Sequence, residues 1–301
     1  MSIKLKSLLK ESRVRLHEDD TESQVEDLSK AFKSADVATY VSMLQKYQSD
    51  PKVLAVLRAG LTDGAPDDEK FGVSGGSIAV KNLKPTQNEI GAQESLKNIA
   101  ADPFKSLVTF LKGNANVGPD PVIVYNGEYV LDGHHRWSQV YAANPDAKIP
   151  VLNVTGNISP KDVLKAVHTA IAIDAGGTKT IAANLKAGNL LTYSPDDVAK
   201  MMTDNLTDDA RKVWGQFGYK DDNAIIKHVQ SNVKTMLSKS KPESWAPKRD
   251  SMPQPGASGS ESWGKQLKTG KVNLIDPKLG DVKSESINKT RWQQIANIKK
   301  K

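Results

Sequence analysis

The sequence predicts an α+β fold in which a small mixed sheet is flanked by helical segments. Two apolar runs, Val122–Tyr125 and Tyr129–Leu131, are separated by Asn-Gly-Glu, and an Asn-Gly pair between strand-like runs is typical of a β-hairpin. A third apolar run, Ile149–Val154, predicts another strand, and much of the remaining chain has apolar residues at helical spacing. Strands confined to one stretch of a chain, with helices before and after, are typical of this fold class.

Length and composition limit the size of the core and exclude thiol chemistry. The chain has 301 residues, which is enough for two domains or for one domain with extensions. Its hydrophobic content is 38% and its aromatic content 6%, so we expect a modest core with helical or flexible additions. Cysteine is absent, which excludes disulfide bonds, zinc–thiolate sites and a thiol nucleophile.

The distribution of charged and apolar residues predicts a soluble, cytoplasmic protein with no membrane partner. The sequence has no apolar run of membrane length, and Met1–Arg15 is charged throughout, unlike a signal peptide. The net charge is +7, and residues 241–301 contain 13 Lys and Arg against 6 Asp and Glu. The excess charge therefore lies in this segment, which either binds DNA, RNA or an acidic protein surface or is a solvated extension without a partner.

Residues 1–70 have helical periodicity and form the first of four predicted regions. An amphipathic segment begins at Ile3, and Thr21 is the predicted N-cap of a second helix. Pro51 begins a further helix that continues to Leu61. This region carries no chemical motif, and it serves either as a helical cap or as an oligomerisation arm.

Residues 71–172 form the second region, which begins with a glycine-rich stretch. Residues 62–76 predict a linker or a mobile loop, and the glycines at 72–76 can cradle phosphate, although the lysine and the preceding strand of a P-loop are absent. Ser77–Leu83 alternates like a strand, which Pro85 ends. Apolar residues at helical spacing then predict a helix.

The turn after the hairpin, residues 132–136, reads Asp-Gly-His-His-Arg and begins a predicted helix. A helix N-terminus has unpaired backbone N–H groups and a partial positive charge, so two imidazoles and a guanidinium beside it predict an anion site. Phosphate is the expected anion. Gly133 lets the backbone approach it closely, and Arg136 grips its oxygens bidentately.

The other side chains of this turn suggest further roles. His134 or His135 donates a hydrogen bond or moves a proton near neutral pH. Asp132 caps the helix or holds a magnesium ion that bridges phosphates. In the alternative interpretation Asp132 acts as a cap alone, one histidine is exposed to solvent and Arg136 forms a surface salt bridge.

Residues 173–240 form the third region, a small helical bundle. Ser194 and Thr207 are predicted N-caps, and Asp221–Leu237 has its apolar residues on one side of a helix. Before them, residues 173–180 read Ile-Asp-Ala-Gly-Gly-Thr-Lys-Thr, which resembles the phosphate loop of sugar kinases related to hexokinase and actin. Because helical patterns precede and follow this stretch, we favour a glycine turn that ends a helix.

Residues 241–301 form the fourth region, a basic and partly flexible C-terminal extension. Residues 252–260, rich in Pro, Gly and Ser, predict a flexible linker with Lys, Arg and Trp on both sides. Aromatic residues among basic ones, here Trp245, Trp263 and Trp292, either stack on bases or anchor the segment to its own domain.

The turn at residues 132–136, together with the upstream segment Leu83–Ile90, resembles the ParB/sulfiredoxin superfamily over residues 77–166. This superfamily includes the chromosome-partitioning ParB N-terminal domains, the sulfiredoxins, the ADP-dependent free serine kinases and many ParB-like phage proteins. The resemblance implies a small mixed-sheet ParB/sulfiredoxin-like domain that binds a nucleotide (ATP, ADP or CTP) together with Mg²⁺. The residues implied to line the nucleotide site are Thr86, Gln87, Gly133, His134, His135 and Arg136.

The residues of this turn differ between the branches of the superfamily, and this chain resembles one branch more than the others. Sulfiredoxins carry their catalytic cysteine at the position of His134, so the absence of cysteine excludes sulfinic acid reduction. ParB clamps carry a Gly-Glu-Arg-Arg box where this chain has two central histidines, which argues against a CTP-gated clamp. The Asp-Gly-His-x-Arg form is most similar to the serine kinases, in which an upstream glutamate assists the chemistry, and Glu89 is its counterpart here.

The function expected from the resemblance is nucleotide-dependent phosphate chemistry, either hydrolysis or phosphoryl transfer to a small acceptor. In this role Glu89 or Asp132 positions magnesium or the nucleophile, and His134 or His135 acts as acid or base. One alternative is a ParB-like DNA-binding protein or nuclease. Another is a non-catalytic phage structural or assembly protein, with the N-terminal helices forming an oligomer.

Overall fold

The computed structural model describes residues 20–60, 71–101, 106–179, 185–256 and 261–274. The helices and strands in these ranges are 20–34 (α1), Val37–Tyr47 (α2), Pro51–Gly60 (α3), Gly72–Ala79 (β1), Lys84–Pro85 (β2), Asn98–Ala101 (α4), Val108–Leu111 (α5), Val122–Tyr125 (β3), Tyr129–Asp132 (β4), His134–Ala143 (α6), Lys148–Thr155 (β5), Pro160–Asp174 (α7), Pro195–Asn205 (α8), Asp208–Gln216 (α9), Asp222–Lys239 (α10) and Trp263–Lys268 (α11). A π-helical turn, Gln93–Lys97, leads directly into α4. None of the helices in the described ranges combines the length and the apolar character that a membrane span requires.

The five strands form one mixed sheet in the order β1-β5-β3-β4-β2. Strand β1 is antiparallel to β5, and β3 is antiparallel to β4. Strand β5 runs parallel to β3, and the short β2 runs parallel to β4. The helices lie before, between and after these strands in the sequence, so the predicted α+β fold class is confirmed.

The predicted hairpin, helix and return strand are all present in the centre of the sheet. Asn126 and Gly127 in the hairpin loop have φ angles of 50° and 69°, the left-handed conformation that makes Asn-Gly favourable there. Helix α6 begins directly after the hairpin and ends before Pro145, whose ring lacks the N–H that a continuing helix needs. Strand β5 then pairs with β3 in parallel, which completes a crossover of short length.

The prediction that residues 72–76 form a linker or a phosphate-cradling loop is wrong. They lie in β1, where Gly72 pairs with Thr155 and Gly76 pairs with Val151. Pairing with β5 supplies hydrogen bonds that the local sequence does not indicate, and this outweighs the low strand propensity of glycine. The strand predicted over residues 77–83 ends early, at Ala79, and a 3₁₀ turn follows over Val80–Asn82.

Two hydrophobic cores lie on opposite faces of the sheet, because successive strand residues point to opposite sides. Val122, Val124 and Val130 face one core, to which α6, α8, α9 and α10 contribute. Ile123, Tyr125 and Leu131 belong to the other core, which contains residues of α1 to α3, α7 and positions 252–274. Each of the predicted flanking regions thus packs with residues of the sheet, and the division into four regions stays a prediction.

The predicted helices of the third region are confirmed together with their caps. Ser194 and Asp197 form a reciprocal capping box at the start of α8, and the side chains of Thr207 and Asp221 cap α9 and α10. In the first region Thr21 lies within α1 instead of capping it, and α2 was not predicted. The segment that begins at Ile3 lies outside the described residues.

The glycine turn after α7 confirms the helix-ending interpretation of residues 173–180. Helix α7 ends at Asp174, and Gly176 and Gly177 follow with φ angles of 76° and 115°. Thr178 then forms an isolated β-bridge with Pro255. The turn therefore holds part of the C-terminal segment, whereas residue 180 lies outside the described ranges.

The described part of the C-terminal segment is packed against the protein, in agreement with the alternative in which its tryptophans anchor it to its own domain. Met252 and Trp263 are buried, with 4% and 1% of their surface exposed. Trp245 lies against the ring of Tyr129, with 6.5 Å between the ring centroids. The linker predicted over residues 252–260 is thus in contact with the core at its start, because Met252 supplies an apolar anchor.

Candidate functional site

A cleft of about 270 Å³ opens at the start of α6. It contains the Asp-Gly-His-His-Arg turn that the sequence singled out, and residues from the C-terminal segment form part of its wall. The lining residues are Gln87, Leu131, Asp132, Gly133, His134, His135, Arg136, Arg249, Met252 and Gln254.

Gly133 positions the first turn of α6 in this cleft. It is the N-cap, with φ 90° and ψ 27°, and no side chain caps the helix. A Cβ atom at this position would lie 2.8 Å from Nη2 of Arg136 and 3.0 Å from Cγ2 of Val122, so glycine is needed for space as well as for conformation. The prediction that Asp132 caps the helix is wrong, because Asp132 precedes the N-cap and binds a guanidinium instead.

Arg136 and Asp132 form a half-buried ion pair across this glycine. Nη2 of Arg136 donates to Oδ2 of Asp132 at 3.0 Å, and Nη1 donates to the backbone carbonyl of Asp120. Each of the two side chains is 22% exposed. Burial raises the pKa of Asp132 above its usual range, while the guanidinium beside it opposes this rise. In this state Arg136 is already occupied by protein acceptors.

His134 is buried and electrically neutral. Its Nε2 atom accepts the backbone N–H of Thr86 at 3.2 Å, which places the ring proton on Nδ1. The hydroxyl of Thr86 donates to the carbonyl of Val130 at 2.6 Å and fixes this strand end. Burial lowers the pKa of His134 to about 3, and the neighbouring His135 adds to the effect.

His135 is held in a similar way, one residue further along the helix. Its Nε2 atom accepts the backbone N–H of Gly91 at 3.1 Å. Its pKa is lowered to about 4, chiefly by burial and also by the positive charge of Arg249, while the negative charge of Glu94 opposes both. Both histidines therefore act as hydrogen-bond acceptors near neutral pH, and their expected role as acid or base stays a prediction.

The upstream residues implied by the resemblance are close to the cleft but contribute unequally. Gln87 lines it, and its Nε2 atom donates to the carbonyl of Glu89 at 2.6 Å. Thr86 is fully buried, and its contact with the site is the hydrogen bond from its backbone N–H to the ring of His134. The carboxylate of Glu89 accepts the backbone N–H of Arg249 at 3.2 Å, so it holds the C-terminal segment beside the cleft.

Arg249, Met252 and Gln254 are cleft residues that sequence reasoning missed. Their segment is held by Asn88, whose backbone N–H donates to the carbonyl of Pro247 at 2.9 Å, and by the Thr178 bridge. These contacts join residues far apart in the sequence, and no local pattern indicates them. The concentration of positive charge after residue 240 was the one available signal.

The donor set for a magnesium ion is sparse. Within the described residues no group of three or more His, Asp and Glu side chains is placed to hold a metal ion. Asp132 is one carboxylate in the cleft. Mg²⁺ at phosphate sites commonly binds one or two carboxylates together with phosphate oxygens and water. Asp132 therefore fits an ion that arrives with a phosphate ligand.

No family model, no curated protein and no solved structure matches this chain. Function is consequently argued from the geometry of the cleft. The cleft combines the first turn of a helix, two guanidinium groups and two neutral imidazoles with one carboxylate. Helix N-termini and guanidinium groups both favour anions over cations.

Proposed function

We propose that the cleft binds the phosphate groups of a nucleotide. The observation that carries this proposal is the unsatisfied first turn of α6. The backbone N–H groups of residues 134, 135 and 136 have no acceptor within the described part of the chain, and they lie at a cleft lined by two arginines. Such orphan donors attract phosphate oxygens, because amide hydrogens and the helix dipole act together.

Arg249 is the cation most available to a ligand. In the described ranges no carboxylate lies within ion-pair distance of its guanidinium, whereas Arg136 is engaged by Asp132. The neutral histidines add no charge, but they also do not repel a positively charged ion that accompanies phosphate. An entering phosphate therefore meets Arg249 first and then competes with Asp132 for Arg136.

The cleft is large enough to hold the phosphate groups of a nucleotide but is small for a whole nucleotide. Ligand pockets for drug-sized molecules usually measure roughly 300–1,000 Å³, and the volume here is about 270 Å³. The nucleoside then extends beyond the phosphate groups, and Met252 and Gln254 in the cleft lining offer apolar and amide contacts. The resemblance of residues 77–166 to the ParB/sulfiredoxin superfamily supports a nucleotide over other phosphate compounds.

Turnover of the bound nucleotide, by hydrolysis or by phosphoryl transfer to a small acceptor, is the second part of the proposal. When phosphate draws the Arg136 guanidinium away, the Asp132 carboxylate becomes free to hold Mg²⁺ or to orient a nucleophile. When Mg²⁺ is bound, it neutralises charge on the phosphates. Glu89 supports this arrangement through the backbone of Arg249.

Binding is tested by isothermal titration calorimetry with ATP, ADP, CTP and pyrophosphate in the presence of magnesium. We expect Arg249→Gln to weaken binding by about tenfold or more, since a charged hydrogen bond is lost. Lys248→Gln is the matched control, because Lys248 is the exposed neighbour that does not line the cleft. Equal affinities in the two variants, or no binding of any of the four compounds, would exclude the proposal.

Turnover is tested separately by chromatographic analysis of the nucleotides after incubation with magnesium, with and without DNA and free serine. Asp132→Ala and Arg136→Ala are expected to abolish product formation while the fold is retained. An effect of serine or of DNA identifies the acceptor or the effector. Tight binding without product in the wild-type protein would reduce the function to nucleotide sensing.

A further inference from the structure

Glu94, on the π-helical turn behind the cleft, has a buried carboxylate oxygen that needs an explanation. Its Oε2 atom is inaccessible to solvent and has no hydrogen-bond partner among the described residues. An ionised oxygen in this position is unfavourable, because it has lost water and gained no donor. π-helical turns interrupt regular helices and frequently occur at functional sites.

The imidazole of His135 lies beside the same glycine as this carboxylate, and the two side chains form no hydrogen bond or ion pair in this state. A Cβ atom placed on Gly91 would lie 2.2 Å from Oε2 of Glu94 and 3.2 Å from Nε2 of His135. The carboxylate and the imidazole therefore approach the same glycine, and a side chain at this position would separate them. At present Nε2 of His135 accepts the N–H of Gly91, so it has no proton to offer Glu94.

Burial is the main reason why the His135 ring is neutral without a ligand, and the charges around the ring modify this effect. Glu94 attracts a proton to the ring, while Arg249 from the C-terminal segment and Arg136 from the same helix repel it. His134 on the same helix and Asp132 on β4 complete the titratable groups that line this part of the cleft. A phosphate anion would neutralise the two arginines, so that burial alone would oppose the attraction of a proton to the ring by Glu94.

We propose that His135 and Glu94 form a pair that takes up one proton when a phosphate anion enters the cleft. The proton comes from solvent and binds Nε2 of His135, which releases the N–H of Gly91 and donates instead to Oε2 of Glu94. No covalent bond of the ligand forms or breaks in this step. The inference rests on the proposed function, since an anion in the cleft is what triggers the uptake.

The test is calorimetry of pyrophosphate binding at about pH 6, near the ordinary range of histidine, in buffers of different ionisation enthalpy. The slope of the observed heat against that enthalpy gives the number of protons taken up. We expect uptake in the wild-type protein to exceed that in Glu94→Gln by up to about one proton for each bound anion. Protonation of pyrophosphate itself is common to both proteins and cancels in the difference.

Glu128→Gln is the control for loss of a carboxylate, because Glu128 pairs with Lys84 at 2.9 Å and does not line the cleft. Its uptake should equal that of the wild-type protein. Long-range ¹H–¹⁵N spectra of the imidazoles provide a second readout that does not require a variant. They should show His135 with one protonated nitrogen in the free protein and two in the complex.

The outcomes separate this inference from the proposed function. Binding of pyrophosphate with the same proton uptake in the wild-type protein and in Glu94→Gln would overturn the pair and leave anion binding intact. A neutral His135 in the spectra of the saturated complex would do the same. Absence of binding in the wild-type protein would overturn both the site and the pair.

Discussion

Nη2 of Arg136 lies 3.0 Å from Oδ2 of Asp132, across the left-handed glycine that begins α6. Because Arg136 also donates to the carbonyl of Asp120, both sides of its guanidinium have acceptors. Under the proposed function, an anion that binds Arg136 competes with Asp132 for the same guanidinium.

The first prediction concerns the pKa of Asp132 when its partner is removed. Burial raises this pKa and the guanidinium of Arg136 counteracts the rise, so Arg136→Gln should raise it further. The measurement is a ¹³C NMR titration of the carboxyl group. Arg211→Gln, which removes an arginine paired with Asp222 at 2.8 Å, should leave the titration of Asp132 unchanged. A pKa that stays the same in Arg136→Gln would show that the pair is absent in solution.

The second prediction separates backbone strain from crowding at Gly133. Gly133→Ala should destabilise the fold by about 3 kcal/mol, because the left-handed conformation costs an alanine about 1–2 kcal/mol and the new methyl displaces Arg136 and Val122 at a further cost of about 1–3 kcal/mol. Chemical denaturation measures the change. Phosphate affinity should fall as well, since the first turn of α6 moves.

Gly113→Ala is the matched control for Gly133→Ala. Gly113 has a φ of 88°, against 90° for Gly133, but nothing lies within 4 Å of its added Cβ atom. This variant should lose about 1–2 kcal/mol of stability and keep its affinity for phosphate. Equal losses in the two variants would show that the crowding at Gly133 is relieved without cost.

The sequence was informative where structure is determined by neighbouring residues. The Asn-Gly turn and the caps at Ser194 and Thr207 depend on backbone geometry within a few positions, and all three are present. The Asp-Gly-His-His-Arg turn, which the sequence also singled out, lines the cleft. Short-range patterns thus located half of the site.

The other half depends on contacts between distant parts of the chain. Glycines 72–76 read as a loop because their strand partner, residues 151–155, lies about eighty positions later. Arg249 enters the cleft because Glu89 and Asn88 hold its segment. Burial also makes both histidines neutral, although their ordinary pKa near 6.5 suggests partly charged groups.

The third prediction is that stability falls as the pH is lowered from about 6.5 to about 4. His134, His135 and His168 have pKa values lowered to about 3, about 4 and about 4, chiefly by burial. In this window the unfolded chain binds more protons than the folded one, so stability is complete above the unfolded pKa and is lost below it. Each histidine contributes up to about 1.4 kcal/mol per pH unit.

His168→Gln isolates one of these contributions at a histidine that does not line the cleft. His168 is fully buried and its Nε2 atom lies 3.1 Å from the carbonyl of Ser251. Denaturation curves at several pH values should show that the variant has a smaller slope of stability against pH, by about 1.4 kcal/mol per unit below pH 6. Parallel slopes in the two proteins would contradict a buried neutral His168.

The fourth prediction concerns Gln48, which ties the N-terminal helices to the turn after α7. Its Oε1 atom accepts the backbone N–H of Thr178 at 2.7 Å, and its Nε2 atom donates to the carbonyl of Thr178 at 2.9 Å. The Gln48 side chain thus forms the two backbone hydrogen bonds that a neighbouring strand would form with Thr178. Thr178 is 3% exposed, so water cannot substitute for the lost partner. Gln48→Ala should therefore cost about 2–4 kcal/mol.

Gln45→Ala provides the control on the same helix, because Nε2 of Gln45 has no hydrogen-bond partner in the described residues. It should change the free energy of unfolding by less than about 1 kcal/mol. Since Thr178 bridges Pro255, loss of Gln48 should also speed amide hydrogen exchange in residues 249–256 and weaken phosphate binding through Arg249. Unaltered exchange in that segment, despite a large loss of stability, would mean that the turn does not hold the cleft wall.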